Sequence, residues 1–398
     1  MKNNFIKLFV IVEKKQISLV VSNIDEQNNF KIQEKIIIPM MEVNKNLVFN
    51  LDKNYEQVNK HILLIEEKFK FTFKDLILIL DSSDFSFLNL TGFKKLNSTQ
   101  ITKENITYIL NSLKFSVEEI ENDKKIVHMF NSKFTLDKKK IDNLPIGLFG
   151  DFYSHELTFC LINKNDYKNL ENIFKRCNLK INKILLNSFI KSSLIASENP
   201  SINSFFHIEI DEDDSKVLSV ENDTVKSEQK FNFGSNMILK DISKITALDL
   251  DICKKLIENN KFSKKPEDGE LIENKYFKNL EYRKIKKKLI FDIAEARIKE
   301  LGELFFYKNV NFEKSLNKRN VIFLEIADKN HLKCFEESYI DCYAQNGKFN
   351  VKVIKKPDDR DVLDVANSIV QFGWKTEAIP VTKSQKSFFS RIFKQIFH

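Results

Sequence analysis

A chain of 398 residues with 42% hydrophobic content has room for two or three domains with sizeable cores. Its net charge of +8 is spread through most of the sequence, and the densest basic run, Arg283–Lys288, has no interleaved aromatic residues, so a solvated helix face is expected there and no nucleic-acid partner. Five cysteines without CxxC spacing, and no apolar run of about eighteen residues, argue against disulfides, cysteine-bound zinc and a spanning helix, and point to a reducing cytoplasm.

The chain opens with two β-branched runs, Phe5–Val12 and Ile17–Ser22, joined by Glu13–Gln16 as a hairpin. A helical pattern at Tyr55–Phe69 precedes a buried strand at Leu76–Leu80, and Ile101–Leu113 has helical spacing. Leu157–Ile162 reads as a strand and Asp166–Arg176 as a helix, with Asn178 suited to the left-handed cap. Ile181–Leu186 is a strand leading into a helix from Ser188. The opening theme then repeats: strands at Ser204–Ile210, Lys216–Val220 and Val225–Phe231, then helices at Ile238–Ile245 and Asp249–Glu258. A long helix at Lys287–Tyr307, a strand at Asn320–Glu325 and a helix at Val362–Phe372 complete a duplicated α/β pattern.

The last segment, Ser384–His398, has a different character. Phe388, Phe389, Ile392, Phe393, Ile396 and Phe397 gather on one helical face, while Lys386, Arg391 and Lys394 lie outside it and no acidic residue intervenes. Pro380 and the polar run 382–385 separate it from the preceding pattern. A basic amphipathic helix on a tether reads as a membrane-surface anchor; the alternative is a helix docked on its own domain. Half-immersing each large apolar side chain is worth roughly 1 kcal/mol. Each basic residue adds about 1 kcal/mol on an anionic leaflet.

Several stretches resemble FtsA, the bacterial actin-like protein that ties the FtsZ ring to the inner membrane during division. Ile101–Ile106 is similar to a helix start in that family's inserted subdomain, and Pro145–Gly150 to its Pro-Val-Gly-Leu-x-Gly turn. Arg176–Ile181 is similar to Arg-Cys-Gly-Leu-x-Val, with Asn178 in place of glycine. Phe233–Asn236 with Asp241-Ile242, the helix Glu295–Glu300, and Ala366 and Ser368 before Phe372-Gly373 fall in the family's order. The resemblance implies an actin-like, ribonuclease-H-like duplicated two-lobe fold with an inserted SHS2-like subdomain and the amphipathic helix. It places a first lobe at 1–81 and 164–200, the insert at 82–163, and the second-lobe core at 201–240 and 318–376. The small subdomain falls at 241–317, a linker at 377–385 and the membrane helix at 386–398.

The departures concern nucleotide chemistry. Actin-like folds hold ATP phosphates on backbone N–H groups of two glycine-rich hairpins. The first corresponds to Glu13-Lys14-Lys15-Gln16, without glycine. The second corresponds to Glu209-Ile210-Asp211-Glu212-Asp213-Asp214-Ser215, with four consecutive carboxylates where phosphates would sit. The adenosine-side Gly-Gly is Glu325-Ile326. With only 8 glycines where about 28 would be average, no cofactor is expected, and Asp211–Asp214 reads as a solvated acidic turn in preference to a Ca²⁺ or Mg²⁺ loop. The six histidines are dispersed and suggest no metal site or catalytic triad.

The resulting expectation is a non-enzymatic peripheral protein at the cytoplasmic face of the inner membrane, at the division site. Its expected partners are anionic lipids, other division proteins, further copies of itself and the C-terminal peptide of FtsZ. Arg297 and Glu300 match positions near the peptide groove of the family; the alternative is an ordinary i,i+3 charged pair. The competing readings are an actin-like ATPase that polymerises on ATP and the related actin-like protein of pilus assembly.

Overall fold

The computed structural model describes residues 5–24, 30–40, 51–81, 84–260, 262, 265–277, 281–312, 316, 319–327, 334–345 and 347–378. The expected membrane helix at 386–398 lies outside these residues. The chain divides into two compact units, Met1–Ser193 with Arg360–His398, and Leu194–Asp359.

In the first unit, β1 (Phe5–Val12), β2 (Gln16–Ile24), β3 (Phe30–Pro39), β4 (Asp75–Leu80) and β9 (Lys180–Leu186) form a sheet ordered β3-β2-β1-β4-β9. β1 pairs antiparallel with β2 and parallel with β4, which runs parallel to β9. β1 and β4 are covered on both faces, so their sequences are apolar runs and not alternations. β3 lies at the edge and alternates, a pattern the sequence reading missed. Helices α1 (Leu51–Phe69) and α3 (Lys164–Arg176) bury Val58, Ile62, Ile65, Leu170, Ile173 and Phe174 in this core. Asn178 sits at φ 60° and ends α3, with the Leu179 N–H returning to Phe174 O at 2.9 Å.

Between β4 and α3, strands β5 (Phe85–Gln100), β6 (Lys124–Leu136), β7 (Lys139–Ile141) and β8 (Phe149–Asn163) build an antiparallel sheet ordered β5-β8-β6-β7. Helix α2 (Lys103–Ile120) covers it through Ile106, Ile109, Leu110 and Val117. Its start is fixed by a reciprocal cap, in which Thr102 N donates to Asn105 Oδ1 at 2.9 Å and Asn105 N to Thr102 Oγ1 at 3.4 Å. A Cβ at Gly92 would overlap Ile109 Cγ2, so glycine sets how closely helix and sheet approach.

The second unit repeats the first topology. β10 (Phe205–Ile210), β11 (Ser215–Glu221), β12 (Thr224–Phe231), β13 (Val321–Ile326) and β14 (Asn350–Ile354) are ordered β12-β11-β10-β13-β14. Again the first strand pairs antiparallel with its hairpin partner and parallel with a later strand. Phe206, Ile208 and Ile210 point into a core with α5 (Asn236–Thr246), α6 (Leu250–Asn260), α7 (Lys287–Gly302) and α8 (Glu336–Ala344). The helix expected to run to Tyr307 changes to a π turn at Glu303–Tyr307, where the Tyr307 hydroxyl donates to the backbone oxygens of Cys342 and Tyr343.

Helix α9 (Asp359–Phe372) and the residues after it were assigned to the second lobe and a linker from their sequence. From residue 360 they group with the first unit, and Lys7 Nζ donates to Asn367 Oδ1 at 2.7 Å. Nor does the expected linker at 377–385 begin at Glu377. Asn131 N donates to Thr376 O and Ala378 N to Met129 O, both at 2.7 Å, so 376–378 lies along β6. Glu377 accepts from Lys183 Nζ at 2.7 Å and from His128 Nδ1 at 3.0 Å. Burial opposes ionisation of Glu377, but the His128 hydrogen bond and the Lys183 charge outweigh it and hold the carboxyl below its ordinary range. Burial in turn lowers the His128 pKa, so a neutral imidazole donates from Nδ1.

A depressed carboxylate adds stability that is complete above the unfolded pKa and is lost as pH falls through the folded one. The contribution of Glu377 is therefore expected to fade between pH 4.5 and about 2. Glu377→Gln should flatten the acid limb of a stability-against-pH profile and cost on the order of 3 kcal/mol at neutral pH. Hydrogen exchange at the Asn131 and Ala378 amides checks whether the segment has come away from β6.

Candidate functional site

In open α/β sheets, ligand loops gather at the carboxyl ends of parallel strands. The three sequence-marked loops of this chain fall at such ends, after β1, β10 and β13. After β1, Glu13–Gln16 is a tight turn closed by Glu13 N donating to Gln16 O at 2.9 Å. The Gln16 side-chain amide also donates to the Glu13 carboxylate, and Met40 N donates to Lys15 O at 2.9 Å. Lys14 and Lys15 are exposed.

After β10, the Asp211–Asp214 turn is closed by Asp211 N donating to Asp214 O at 2.9 Å. The turn also engages the start of α5. Ser235 N and Oγ donate to Asp211 O at 3.0 and 2.9 Å, and Asn236 N donates to Glu212 O at 2.9 Å. Asn236 Nδ2 reaches Asp213 Oδ1 at 3.0 Å. The first N–H groups of a helix are the usual anion donors. Two of them here are taken by the carbonyls of the acidic turn. Burial raises the Asp211 pKa, Lys356 opposes this, and the charges of Asp214 and Glu209 raise it further.

After β13, Ala327 N donates to Ile210 O at 2.9 Å, while Ile326 enters the core. Glu325 is buried beside its register partner Glu209, on the sheet face opposite the Phe206–Ile210 core stripe. His207 shares that face. Its Nε2 lies 3.3 Å from Glu325 Oε2 and its Nδ1 3.7 Å from Glu209 Oε1. Sequence reading treated the histidines as dispersed and missed this grouping. The i,i+2 spacing of His207 and Glu209 was its one local signal, since Glu325 lies more than a hundred residues away.

Arg297 and Glu300, expected to meet a partner, line a groove of about 740 Å³ between α5 and α7. Ile245, Ile293 and Ala296 supply its apolar lining, and Asp241, Lys244 and Asp292 its further charges. Arg297 donates through Nε to the Asp241 carboxylate and through Nη1 to Glu300 Oε2 at 2.7 Å. The hydrogen bond that Arg297 donates to Asp241 raises the Arg297 pKa, so the guanidinium stays charged. Arg297 and Glu300 thus pair with each other, and a ligand carboxylate would have to share or replace Asp241. The basic run is partly neutralised by pairs such as Lys287–Glu270 at 2.9 Å, and Arg283 Nη2 caps Thr246 O at 2.7 Å.

Gly234 tests how tightly the acidic turn is built. A Cβ there would overlap Asp211 O and crowd Asp214 O at 2.8 Å. Backbone atoms cannot swing aside as a side chain can. Gly234→Ala is expected to cost about 2 kcal/mol or more, read as a lowered urea midpoint with unchanged slope.

No protein-family model matches the chain. Among curated proteins it is similar to the cell division protein FtsA of Buchnera aphidicola subsp. Schizaphis graminum, with 21% identity over 201 residues, 50% of this chain and 48% of that protein. The chain thus spans about half the length of that relative. It is 20% identical to FtsA of Buchnera aphidicola subsp. Acyrthosiphon pisum over 374 residues, 89% of this chain and 87% of that protein. With FtsA of Helicobacter pylori strain 26695 the identity is 29% over 27% of this chain and 21% of that protein. Among solved structures, the PilM-PilN type IV pilus biogenesis complex matches with a TM-score of 0.53 and 9% identity, over 92% of this chain and 98% of that one. The chain shares its fold, built of two α/β units, with that complex and is distantly similar in sequence to FtsA.

Proposed function

We propose that this chain is an actin-fold scaffold that links a filament-forming partner to a membrane, in the manner of FtsA. The observation that carries the reading is the FtsA match along 89% of the chain, together with a groove where Arg297 and Glu300 were expected to meet a peptide. In this reading the β5–β8 sheet with α2 is the SHS2-like insert, and the region around α5–α7 receives the C-terminal peptide of FtsZ. The apolar stripe from Phe388 to Phe397 holds the protein on anionic lipid at the inner face of the cell membrane. Self-association and later division proteins would supply the multivalency that one weak anchor needs.

The phosphate loops fit a non-catalytic scaffold. Where family glycines would let backbone approach phosphate, this chain has an acidic turn whose carbonyls already occupy the α5 donors Ser235 and Asn236. Like charges in contact repel by about 1 kcal/mol per pair even at the dielectric constant of water. An ATP polyphosphate brought to the turn would add to that repulsion.

A second reading, an actin-like ATPase or a pilus-assembly protein, is favoured by the fold comparison. The PilM-PilN complex is matched nearly end to end, whereas FtsA identities stay between 20% and 29%. Equilibrium binding of labelled ATP with Mg²⁺ separates the two: micromolar affinity would replace the scaffold with the ATPase reading.

Full-length protein is expected to pellet with anionic vesicles, and a chain ending at Gln385 or carrying Phe389→Glu to remain in the supernatant with an unchanged thermal midpoint. Equal pelleting of all three would remove the anchor. In the groove, Ile293→Glu is expected to weaken binding of an FtsZ C-terminal peptide about tenfold or more, measured by fluorescence anisotropy, because it places a desolvated carboxylate against Asp241 and Glu300.

A further inference from the structure

We propose that His207, Glu209 and Glu325 form a binding site for a single divalent transition-metal ion within the second sheet. One donor atom from each of the three side chains lies within 4.8 Å of the other two. The grouping is a product of register: Glu209 on β10 stands beside Glu325 on the parallel strand β13, and His207 is two residues before Glu209 on the same face. His207 is 1% exposed and Glu325 is 5% exposed.

Two physical facts single this grouping out. The first is the histidine itself. Neither ring nitrogen of His207 has a hydrogen-bond partner among the described residues, although both are buried. Burying an imidazole without hydrogen bonds is costly, and a metal ion accepting the Nε2 lone pair removes the share of that cost owed to Nε2. The second is the geometry. Tetrahedral ligands at zinc bond lengths near 2.0–2.1 Å stand roughly 3.3 Å apart. His207 Nε2 and Glu325 Oε2 already have that separation, 3.3 Å. The Glu209 carboxylate completes a set of one nitrogen and two oxygens by a side-chain adjustment, leaving a position for water.

The donor set identifies the class of ion. One imidazole and two carboxylates suit borderline dications such as Zn²⁺, Mn²⁺ or Fe²⁺ better than Ca²⁺ or Mg²⁺, which prefer oxygen alone. Two adjacent carboxylates on neighbouring strands repel unless a cation intervenes. Lys216 Nζ, 3.8 Å from Glu209 Oε2, supplies part of that charge from β11. A dication supplies more, and joins β10 to β13 at the ends where the glycine-rich loops are missing. The ion is thus a cross-strand clasp, independent of whether the protein serves a division ring or a pilus.

The test uses full-length protein dialysed against EDTA and titrated calorimetrically with Zn²⁺ or Mn²⁺, with Co²⁺ as the optical probe. Expected are one ion per chain with micromolar or tighter affinity, a metal-dependent rise in the thermal midpoint, and Co²⁺ visible bands of a four- or five-coordinate site. His207→Leu and Glu325→Gln should each weaken binding by about tenfold to a hundredfold and abolish the bands. Glu325→Gln is nearly isosteric, so it carries the test if His207→Leu does not fold. No stoichiometric binding by the unaltered protein would overturn the proposal and leave His207 simply packed between the two carboxylates. Binding that both variants retain would overturn it in favour of adventitious surface sites.

Discussion

Each lobe sheet depends on one constraint: its first strand is central, paired antiparallel on one side and parallel on the other. A strand in that position is covered on both faces, so apolar residues dominate β1 and β10, and a buried polar residue such as His207 in β10 carries a desolvation cost. The same arrangement brings the hairpin turn and the end of the parallel neighbour to one edge. Val12 is level with Leu80, and Ile210 with Ile326. Whatever replaces glycine in these turns is therefore concentrated at one place in each sheet.

In the second sheet that concentration is chemically pronounced. The acidic turn, the half-buried Glu209, and the buried Glu325 and His207 occupy the end and one face of the same two strands. Only glycine fits at 234, because the loop into α5 passes directly over the carbonyls of the turn. The edge has been rebuilt with side chains and internal hydrogen bonds where an actin-like fold usually exposes backbone donors.

The end of the described chain is tied down with comparable care. Residues 376–378 form backbone hydrogen bonds to β6, and Glu377 joins a lysine on β9 to a histidine on β6. Any pull on the residues that follow would reach the inserted sheet first, because those bonds lie between it and α9. For a protein proposed to hang from a membrane by its last residues, this is a sound place for the load.

The apolar runs alone determined most of the elements. β1, β2, β4, the β10–β12 group, β13 and helices α1–α3, α4 (Asn187–Glu198) and α5–α7 were legible because burial on both faces, or on one helical stripe, leaves a period that single-sequence reading detects. Strands β5 and β6 were not read, and β8 only in part, since one face of that antiparallel sheet admits lysine, threonine and asparagine, which blurs the alternation. The glycine-poor loops could also be read from residue identity, whereas the candidate pair Arg297 and Glu300 came from the resemblance to FtsA. What only tertiary structure decided was pairing. It bound Arg297 to Asp241 and Glu377 to β6, and set His207 beside Glu325, because strand register and helix packing bring together residues whose separation along the chain carries no signal of contact.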